Sequence, residues 1–372
     1  MARVAFYAPM KRPDHPVPSG DRRMARALMV LLGDLGHQVT VASRLRAFDG
    51  TGDALRQARI RARAVREADR LAATLAPRPA VWFTYHVHHK APDWIGPVVA
   101  DRLAIPYVVA EPSIARKRLE GPWAVGFEGA LAAIGRADAV LVMTERDRPG
   151  LRGVVPARRT VPLPPFVDPA PFVSVRRDRA ALAARHGLDP GQPWLLTVAM
   201  MRPGAKTSSY QRLGAALARV RGRPWQLLVI GDGPALDACR AALAPLGPSV
   251  HGLGALPTHA LPAYYAAADV FVWPGVGEAY GMAYLEAQAA GCPVIAAAEP
   301  GVTAVVRDGT SGLLVPPGDD AAFAAAAVRL LDEPRLRAAL GRRARAYVSR
   351  RHGPAAAGRA VARALRIAGV GP

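Results

Sequence analysis

The segment VFVWPGVGEAYGMAYLEAQAAGCPVIAAA, residues 270–298, decides the fold of this chain. Its first four residues, VFVW, have the apolar pattern of a short buried strand, and the Pro and Gly residues that follow predict a loop. Helix-forming residues fill 281–290, Gly291 ends that helix, and PVI begins a second strand. A strand, a helix and a strand within about 30 residues predict a βαβ unit with parallel strands.

Two carboxylates of this unit, Glu278 in the loop and Glu286 in the helix, suggest a ligand site. Ligands of open parallel sheets bind beyond the carboxyl ends of the strands, where Glu278 falls. The amides of Tyr280, Gly281 and Met282 begin the helix and favour an anion such as a diphosphate. Two carboxylates that flank an anion site suit a nucleotide sugar, which has a negative centre and hydroxyls at both ends.

The alternative is that Glu278 is a solvated loop residue and that Glu286 lies on a polar helix face. Residues 251–300 contain neither Lys nor Arg, although the chain is rich in basic residues. This absence favours a segment that is buried or committed to a ligand.

Three stretches of the second half together resemble the retaining glycosyltransferases of family 4. They are GDGP at 231–234, GEAYGMAYLEAQAAGCPVIAA at 277–297, which carries the E-x7-E signature of that family, and RDGTSGLLVPPGDDAAFAAAA at 307–327. The resemblance implies an α/β protein of the GT-B fold, with two Rossmann-like domains whose parallel sheets face each other across a cleft. It implies an acceptor-binding domain at 1–165, a nucleotide-sugar-binding domain at 166–353, and a C-terminal helix, 354–370, that packs back on the first domain.

On the donor side, the resemblance implies a basic pair at the diphosphate, for which Lys206 and Arg202 are the candidates. Lys206 is one of only four lysines in a chain that otherwise uses Arg. Glu278 would orient the sugar hydroxyls and Glu286 would hold the ribose. The remaining predicted donor contacts are Ser19, Gly20, Gly231 and Gly233, for which plain turns are the alternative. Gly252 lies in a short strand, whose backbone the resemblance places at the nucleotide base.

On the acceptor side, YHVHHKAPDWIGP at 85–97 follows a predicted strand. Its three His residues do not have the i, i+4 spacing of a zinc helix, and no Cys or carboxylate cluster completes a site, so we expect no metal. We predict instead that His86 and His88 contact substrate, and that Lys90 and Arg116 lie nearby, with a solvated surface as the alternative for Arg116.

Glu111 occupies the position at which many members of the family have a His. We expect its carboxylate either to hydrogen-bond the reacting hydroxyl or only to cap the backbone. The predicted catalytic residues are therefore Glu278, Lys206, Arg202, Glu111 and His86.

The composition bears on the cellular location of the protein and on its contact with membranes. The chain has 372 residues, 51% of them apolar, and a formal charge of +20. Two Arg-rich regions, 51–75 and 335–366, are predicted to be helical, and they either lie on an anionic membrane or form solvated faces. With two cysteines, no apolar run long enough to span a bilayer and no secretory pattern after Met1, we expect a cytoplasmic protein, which is peripheral at the inner face of the membrane if these helices lie on it.

The predicted function is the transfer of a sugar from a UDP- or GDP-sugar to a hydroxyl of a glycan or lipid-linked acceptor, with retention and without a cofactor. Cell-surface polysaccharide or glycolipid synthesis is the expected setting. Two other classes stay open: a non-catalytic nucleotide-sugar-binding subunit of the same fold, and an RNA- or polyanion-binding protein. Nucleic acid is the weaker idea, because no nucleic-acid-binding motif accompanies the charge and stacking aromatics are sparse.

Overall fold

A computed structural model describes residues 1–17, 19–175 and 177–371. The chain forms two compact units. The N-terminal unit comprises Met1–Pro164 together with the residues from Pro354 onward, and the C-terminal unit comprises Pro165–Gly353. The boundary expected from the sequence, after residue 165, differs from this one by a single residue.

The N-terminal unit is built on a six-stranded sheet, in which the strands have the order β2-β1-β3-β4-β5-β6 and all pairs are parallel. Its strands are β1 (Arg3–Tyr7), β2 (Gln38–Val41), β3 (Val81–Val87), β4 (Tyr107–Pro112), β5 (Ala139–Val142) and β6 (Thr160–Pro162). Its first five helices are α1 (Gly20–Asp34), α2 (Ala54–Thr74), α3 (Gly96–Arg102), α4 (Ala124–Arg136) and α5 (Arg148–Leu151). The central strands β3 and β4 are buried almost throughout, as expected of a parallel sheet that is covered on both faces.

The last helix, α14 (Pro354–Ile367), returns to the N-terminal unit, where it packs against α1, β5 and β6. The residues that it buries recur at helical spacing: Ala357, Gly358, Val361, Ala364 and Leu365. The apolar stripe of this helix is therefore part of the core of the N-terminal unit.

The C-terminal unit has a second parallel sheet, in the order β12-β11-β10-β7-β8-β9. Its strands are β7 (Trp194–Val198), β8 (Gln226–Ile230), β9 (Val250–Gly254), β10 (Val270–Val272), β11 (Val294–Ala297) and β12 (Gly312–Val315). Its helices are α6 (Ala170–Val173), α7 (Arg179–His186), α8 (Ala205–Leu217), α9 (Leu236–Leu243), α10 (Leu261–Ala267), α11 (Met282–Ala289), α12 (Asp320–Asp332) and α13 (Pro334–Arg351). The predicted βαβ unit is confirmed as β10, α11 and β11.

In each sheet the chain reverses its direction of growth once. The N-terminal sheet grows from β1 to β2 and then continues on the other side of β1 with β3. The C-terminal sheet grows from β7 through β8 to β9 and then continues on the other side of β7 with β10. A crevice that can hold a ligand opens at such a switch point, at the carboxyl ends of the two strands.

The two Arg-rich regions have different surroundings. Helix α2 exposes all of its six arginines and buries a narrow stripe that includes Ala64, Ala68 and Leu71. The region 335–366 is two helices, α13 and α14, with the break at His352 and Gly353. No helix in the described parts of the chain is long and apolar enough to cross a bilayer.

Candidate active site

The switch point of the C-terminal sheet brings together the loops that follow β7 and β10. Lys206 lies in the first turn of α8, directly after β7, and Glu278 lies in the loop after β10. The Lys206 ammonium and the Glu278 carboxylate form an ion pair. Lys206 Nζ also lies 5.4 Å from the centre of the Trp273 ring, and Trp273 Nε1 lies 3.5 Å from Glu278 Oε1. The fold therefore brings an ammonium group, a carboxylate and an indole together at one edge of the sheet.

Residues 273–281, between β10 and α11, form the motif loop, and hydrogen bonds between α8 and this loop fix the arrangement. The Ser209 hydroxyl accepts from the amide of Val276 at 3.0 Å and donates to the carbonyl of Ala205 at 2.8 Å. The Tyr284 hydroxyl donates to the carbonyl of Trp273 at 3.0 Å, so α11 holds the end of β10 in place. The loop that carries Glu278 is thus attached both to α8 and to its own helix.

Glycines allow the backbone of this loop to pack closely. Gly281 precedes α11 with φ 70°, and a Cβ there would lie 2.6 Å from the Tyr284 ring. A Cβ on Gly301 would lie 1.9 Å from the carbonyl oxygen of Ala279 and 2.4 Å from that of Glu278. A larger residue at 301 therefore requires the motif loop to move.

The GDGP stretch lies against the loop after β7. A Cβ on Gly231 would lie 1.9 Å from the Ala199 carbonyl oxygen, and one on Gly233 would lie 2.3 Å from that of Met201. The amide of Met201 donates to the carbonyl of Asp232 at 2.9 Å. These glycines allow the segment between β7 and Lys206 to pack against the end of β8.

The other predicted donor residues have different surroundings. Arg202 is exposed in the loop before α8, and Gly252 is exposed on β9, the edge strand of the sheet. Tyr280 is buried, whereas Gly281 and Met282 are half-buried at the start of α11. Ser19 and Gly20 belong to the other unit, where the Ser19 hydroxyl caps α1 by accepting from the amide of Arg22 at 3.2 Å.

Glu286 lies in α11 and has no exposed surface. Its carboxylate accepts a hydrogen bond from the Tyr265 hydroxyl at 2.9 Å. The complete burial of Glu286 contradicts the alternative of a polar helix face, and its role at the ribose stays a prediction. A ribose can contact Glu286 only after its side chain turns towards the ligand.

The switch point of the N-terminal sheet carries a second cluster of charged residues. Asp21 begins α1 after β1, and His86 lies near the end of β3. Asp21 Oδ1 lies 3.0 Å from His86 Nδ1, and Glu111 Oε1, near the end of β4, lies 3.9 Å from His86 Nε2. The structure therefore brings the predicted residues His86 and Glu111 together, and adds Asp21.

The charges of this cluster favour a protonated imidazole. Burial opposes the charged form of His86, but Glu111, Asp21 and Asp147 outweigh it and raise the pKa of His86 to about 9. Burial raises the pKa of the Glu111 carboxyl, although His86 acts in the opposite direction. For Asp21, burial is outweighed by the hydrogen bond and charge of His86, so that its pKa is lowered.

The backbone of both residues is strained. His86 has φ 64° and Glu111 has φ 57°, in the left-handed region that residues other than glycine seldom adopt. Each such residue costs on the order of 1–3 kcal/mol, and such residues are concentrated in functional sites. Among the described residues, Ala104 is the one other non-glycine residue with positive φ, at 47°, so two of the three strained positions are the acceptor-side residues that the sequence predicts to be catalytic.

The remaining acceptor-side candidates surround this cluster less directly. His88 Nε2 lies 3.4 Å from the Met10 sulfur, and burial, aided by the charge of His86, holds the pKa of His88 well below its usual value. The Lys90 ammonium lies 5.0 Å from the centre of the Trp123 ring. Arg116 is exposed and donates to the carbonyl of Arg152 at 3.1 Å. Across the residues that the structure describes, no group of three or more His, Cys, Asp or Glu is placed to hold a metal ion.

Three residues of these sites were missed from sequence: Asp21, Trp273 and Gly301. The order of the strands, which sequence patterns do not give, is what places Asp21 beside His86. Trp273 ends an apolar strand and was assigned to it without a role of its own. Gly301 follows Pro300 and lies outside the motif, so that its contact with the loop depends on the tertiary fold.

Comparison with known proteins finds similar glycosyltransferases. The profile of the family "Glycosyl transferases group 1" matches residues 192–333. A D-inositol 3-phosphate glycosyltransferase of Frankia alni is 32% identical over 293 residues, which cover 73% of this chain and 71% of that protein. An alpha-D-kanosaminyltransferase of Streptomyces kanamyceticus is 29% identical over 279 residues, 74% of this chain and 71% of that protein.

Among solved structures, the Anabaena protein HepE in complex with UDP-glucose has a TM-score of 0.72 at 17% identity, and the match covers 98% of this chain and 100% of that one. This likeness and the two parallel sheets confirm the predicted GT-B fold. The chain spans 71%, 63% and 66% of the length of the first three curated relatives that it matches.

Proposed function

The chain belongs to the glycosyl transferases group 1, and on that premise we propose that it transfers a sugar from a UDP- or GDP-sugar to an acceptor hydroxyl with retention at the anomeric carbon. The C-terminal unit binds the donor in this proposal, and the N-terminal unit binds a glycan or lipid-linked acceptor. The contact between Lys206 and Glu278 at the switch point of the C-terminal sheet carries the proposal.

A nucleotide sugar supplies groups that match this contact. Its diphosphate competes with Glu278 for the Lys206 ammonium and gains the free amides at the start of α8, whose first residue is Ala205. Separation of the pair leaves the Glu278 carboxylate to accept hydrogen bonds from the sugar hydroxyls. As the bond to the sugar breaks, negative charge grows on the leaving diphosphate, and Lys206, Arg202 and the amides at 280–282 stabilise it.

The other donor contacts belong to the same proposal. Gly231 and Gly233 allow the nucleotide to approach the backbone, the exposed backbone of Gly252 holds the base, and Glu286 turns to bind the ribose. HepE was solved with UDP-glucose, which supports a nucleotide-sugar donor for a chain of this fold. On the acceptor side, His86 and Glu111 contact the reacting molecule, with His88, Lys90 and Arg116 around them.

A peripheral contact with an anionic membrane is a further part of the proposal, and with it a place at the inner face of the cytoplasmic membrane. The six exposed arginines of α2 and the two exposed apolar side chains Leu55 and Val65 support it. Co-sedimentation tests it: the protein should bind vesicles that contain phosphatidylglycerol and not vesicles of phosphatidylcholine alone. Equal binding to both would contradict this part.

A panel of UDP- and GDP-sugars tests the donor assignment. A donor that binds the folded chain should raise its melting temperature, and nucleoside diphosphate should be released once an acceptor is supplied from lipid or glycan extracts. Binding without release in every extract would favour a non-catalytic nucleotide-sugar-binding protein. Failure of every nucleotide sugar to bind would contradict the proposal.

A further inference from the structure

The facing atoms of His86 and Glu111 are too far apart to bond directly. We propose that the gap between His86 Nε2 and Glu111 Oε1 binds one hydroxyl of the acceptor, and that Asp21 is a positioning residue that orients His86 for this contact. The inference rests on the proposed function, since it takes the N-terminal unit as the unit that binds the acceptor.

The size and chemistry of the gap select a hydroxyl. The separation of Nε2 and Oε1 is 3.9 Å, whereas a direct hydrogen bond between N and O needs about 2.7–3.2 Å. An oxygen atom about 2.8 Å from each of the two atoms bridges them from the side, about 2 Å off the line that joins them. A hydroxyl can accept from the imidazole N–H and donate to the carboxylate at the same time, whereas an ether or carbonyl oxygen can only accept.

Asp21 determines what His86 offers to that hydroxyl. The imidazole Nδ1–H donates to Asp21 Oδ1 at 3.0 Å, which fixes the orientation of the ring. In a neutral ring with this tautomer, Nε2 would be an acceptor and could not donate to the hydroxyl oxygen. The charge of Asp21 favours the imidazolium, in which Nε2 also carries a proton. The full bridge therefore requires Asp21 as well as the two residues that form the gap.

The sheet holds both walls of the gap. Strands β3 and β4 pair at Tyr85 with Ala110 and again at Val87 with Pro112, so that His86 and Glu111 occupy the corresponding positions between these pairs. Both residues have left-handed backbone angles, and their side chains approach each other to 3.9 Å. The side chains are 18% and 10% exposed, so both keep some contact with solvent although most of their surroundings are protein.

Charged groups from three other segments of the N-terminal unit act on His86. Asp21 from α1, Glu111 from β4 and Asp147 from the turn after β5 favour its charged form. His88 on the same strand has a lowered pKa and is neutral at pH 7, and Lys11 acts on Asp21 from the loop after β1. The pKa of His86 is about 9, so we expect the hydroxyl bridge to be lost as the pH rises through this value.

The test uses the full chain labelled with 15N-histidine, UDP, and the probes myo-inositol and methyl α-D-mannoside. In the wild type, the His86 ring signals should titrate near pH 9 and should shift when either probe is added. In Asp21→Asn the pKa of His86 should fall by about one pH unit or more, and probe affinity at pH 8 should fall about 10- to 100-fold.

The exposed Asp34 at the other end of α1 supplies the matched control, because Asp34→Asn should titrate and bind as the wild type does. If Asp21→Asn does not fold, Glu111→Gln should likewise lower both the pKa of His86 and the affinity. Unchanged His86 signals in the presence of both probes, or an unchanged affinity in Asp21→Asn, would overturn the inference. Donor turnover does not depend on these signals, so a failure of the proposed function would be seen separately.

Discussion

At the residue scale, Lys206 and Glu278 neutralise each other at the switch point of the C-terminal sheet. The pair is partly exposed, so its direct contribution to folding stability is small. In the proposed function, a diphosphate takes the place of Glu278 beside Lys206 and leaves the Glu278 carboxylate to the sugar.

Glu278→Gln should therefore impair transfer far more than folding. The amide keeps the shape of the side chain but loses the charge that accepts the sugar hydroxyls, and we expect kcat/KM to fall about 100-fold, with a melting temperature close to that of the wild type. Glu333→Gln removes an exposed carboxylate of the same unit and should leave both quantities unchanged. Equal activity of the two variants would exclude a role for Glu278 in the donor site.

His86 should make the stability of the N-terminal unit depend on pH. Its pKa is raised from 6.5 to about 9 in the folded chain, so the native state binds the proton more tightly than the unfolded state. The resulting stabilisation, about 3 kcal/mol at most, is fully present below pH 6.5 and is lost as the pH rises through 9. Urea unfolding measures the free energy of unfolding of the wild type and of His86→Gln, and the difference between the two should shrink as the pH rises from 6.5 through 9. A difference that stays constant would show that Asp21 and Glu111 do not stabilise a charged His86.

At the element scale, the loop between β10 and α11 depends on glycines outside the signature. Gly301→Ala should destabilise the C-terminal unit by about 1–3 kcal/mol and lower donor affinity, because the new Cβ meets the carbonyls of Ala279 and Glu278. Thermal melting and titration with UDP measure both effects. Gly33→Ala in α1, where a Cβ meets nothing within 4 Å, is the control and should keep full affinity.

The elements themselves were largely predictable from the sequence. The apolar run Leu227–Ile230 predicts the strand β8, and Gly291 predicts the end of α11. Strand positions and helix ends depend on such local patterns, which can be read from the sequence. The sequence does not predict the ion pair between Lys206 and Glu278. It predicts a contact of Lys206 with the diphosphate and of Glu278 with the sugar, but no contact between the two side chains. The burial of Glu286 depends on Tyr265, which comes from a different helix. Contacts of this kind depend on packing between elements that are distant in sequence.

The Arg-rich regions show the same limit. Periodicity predicted helices at 51–75 and 335–366, and helices are found in both regions. The pattern could not distinguish a membrane-facing stripe from a core-facing one. In α14 the apolar stripe faces α1, β5 and β6, so that only its polar face is available to a partner.

At the scale of the whole molecule, the chain leaves the N-terminal unit at Pro164 and returns to it at Pro354. The N-terminal unit is therefore complete only after the C-terminal unit has been synthesised. Two side chains of α14, Val361 and Leu365, are almost fully buried in that unit.

Leu365→Ala should destabilise the N-terminal unit selectively. Removal of a buried leucine side chain costs about 2–5 kcal/mol, and hydrogen exchange of β5 should become faster while that of β8 in the other unit stays unchanged. Arg363→Ala changes an exposed residue of the same helix and should leave both exchange rates as they are. Faster exchange in both units to the same extent would show that α14 does not belong to the N-terminal unit alone.

Each of the two sheets carries a candidate site at its switch point, at the carboxyl ends of the strands. The C-terminal site has the cation and carboxylate that suit a nucleotide sugar. The N-terminal site has a protonated His between carboxylates, which suits a hydroxyl. In the proposed function, the first site binds the nucleotide sugar and the second binds the acceptor.

The most direct test of this account follows the donor sugar by proton NMR. The protein is mixed with a UDP- or GDP-sugar and an acceptor fraction, and both the anomeric signal of the product and the release of nucleoside diphosphate are recorded. From an α-linked donor, we expect the wild type to form an α-linked product, and we expect Glu278→Gln to form no product within the same time. A β-linked product, or equal turnover by the variant, would contradict it.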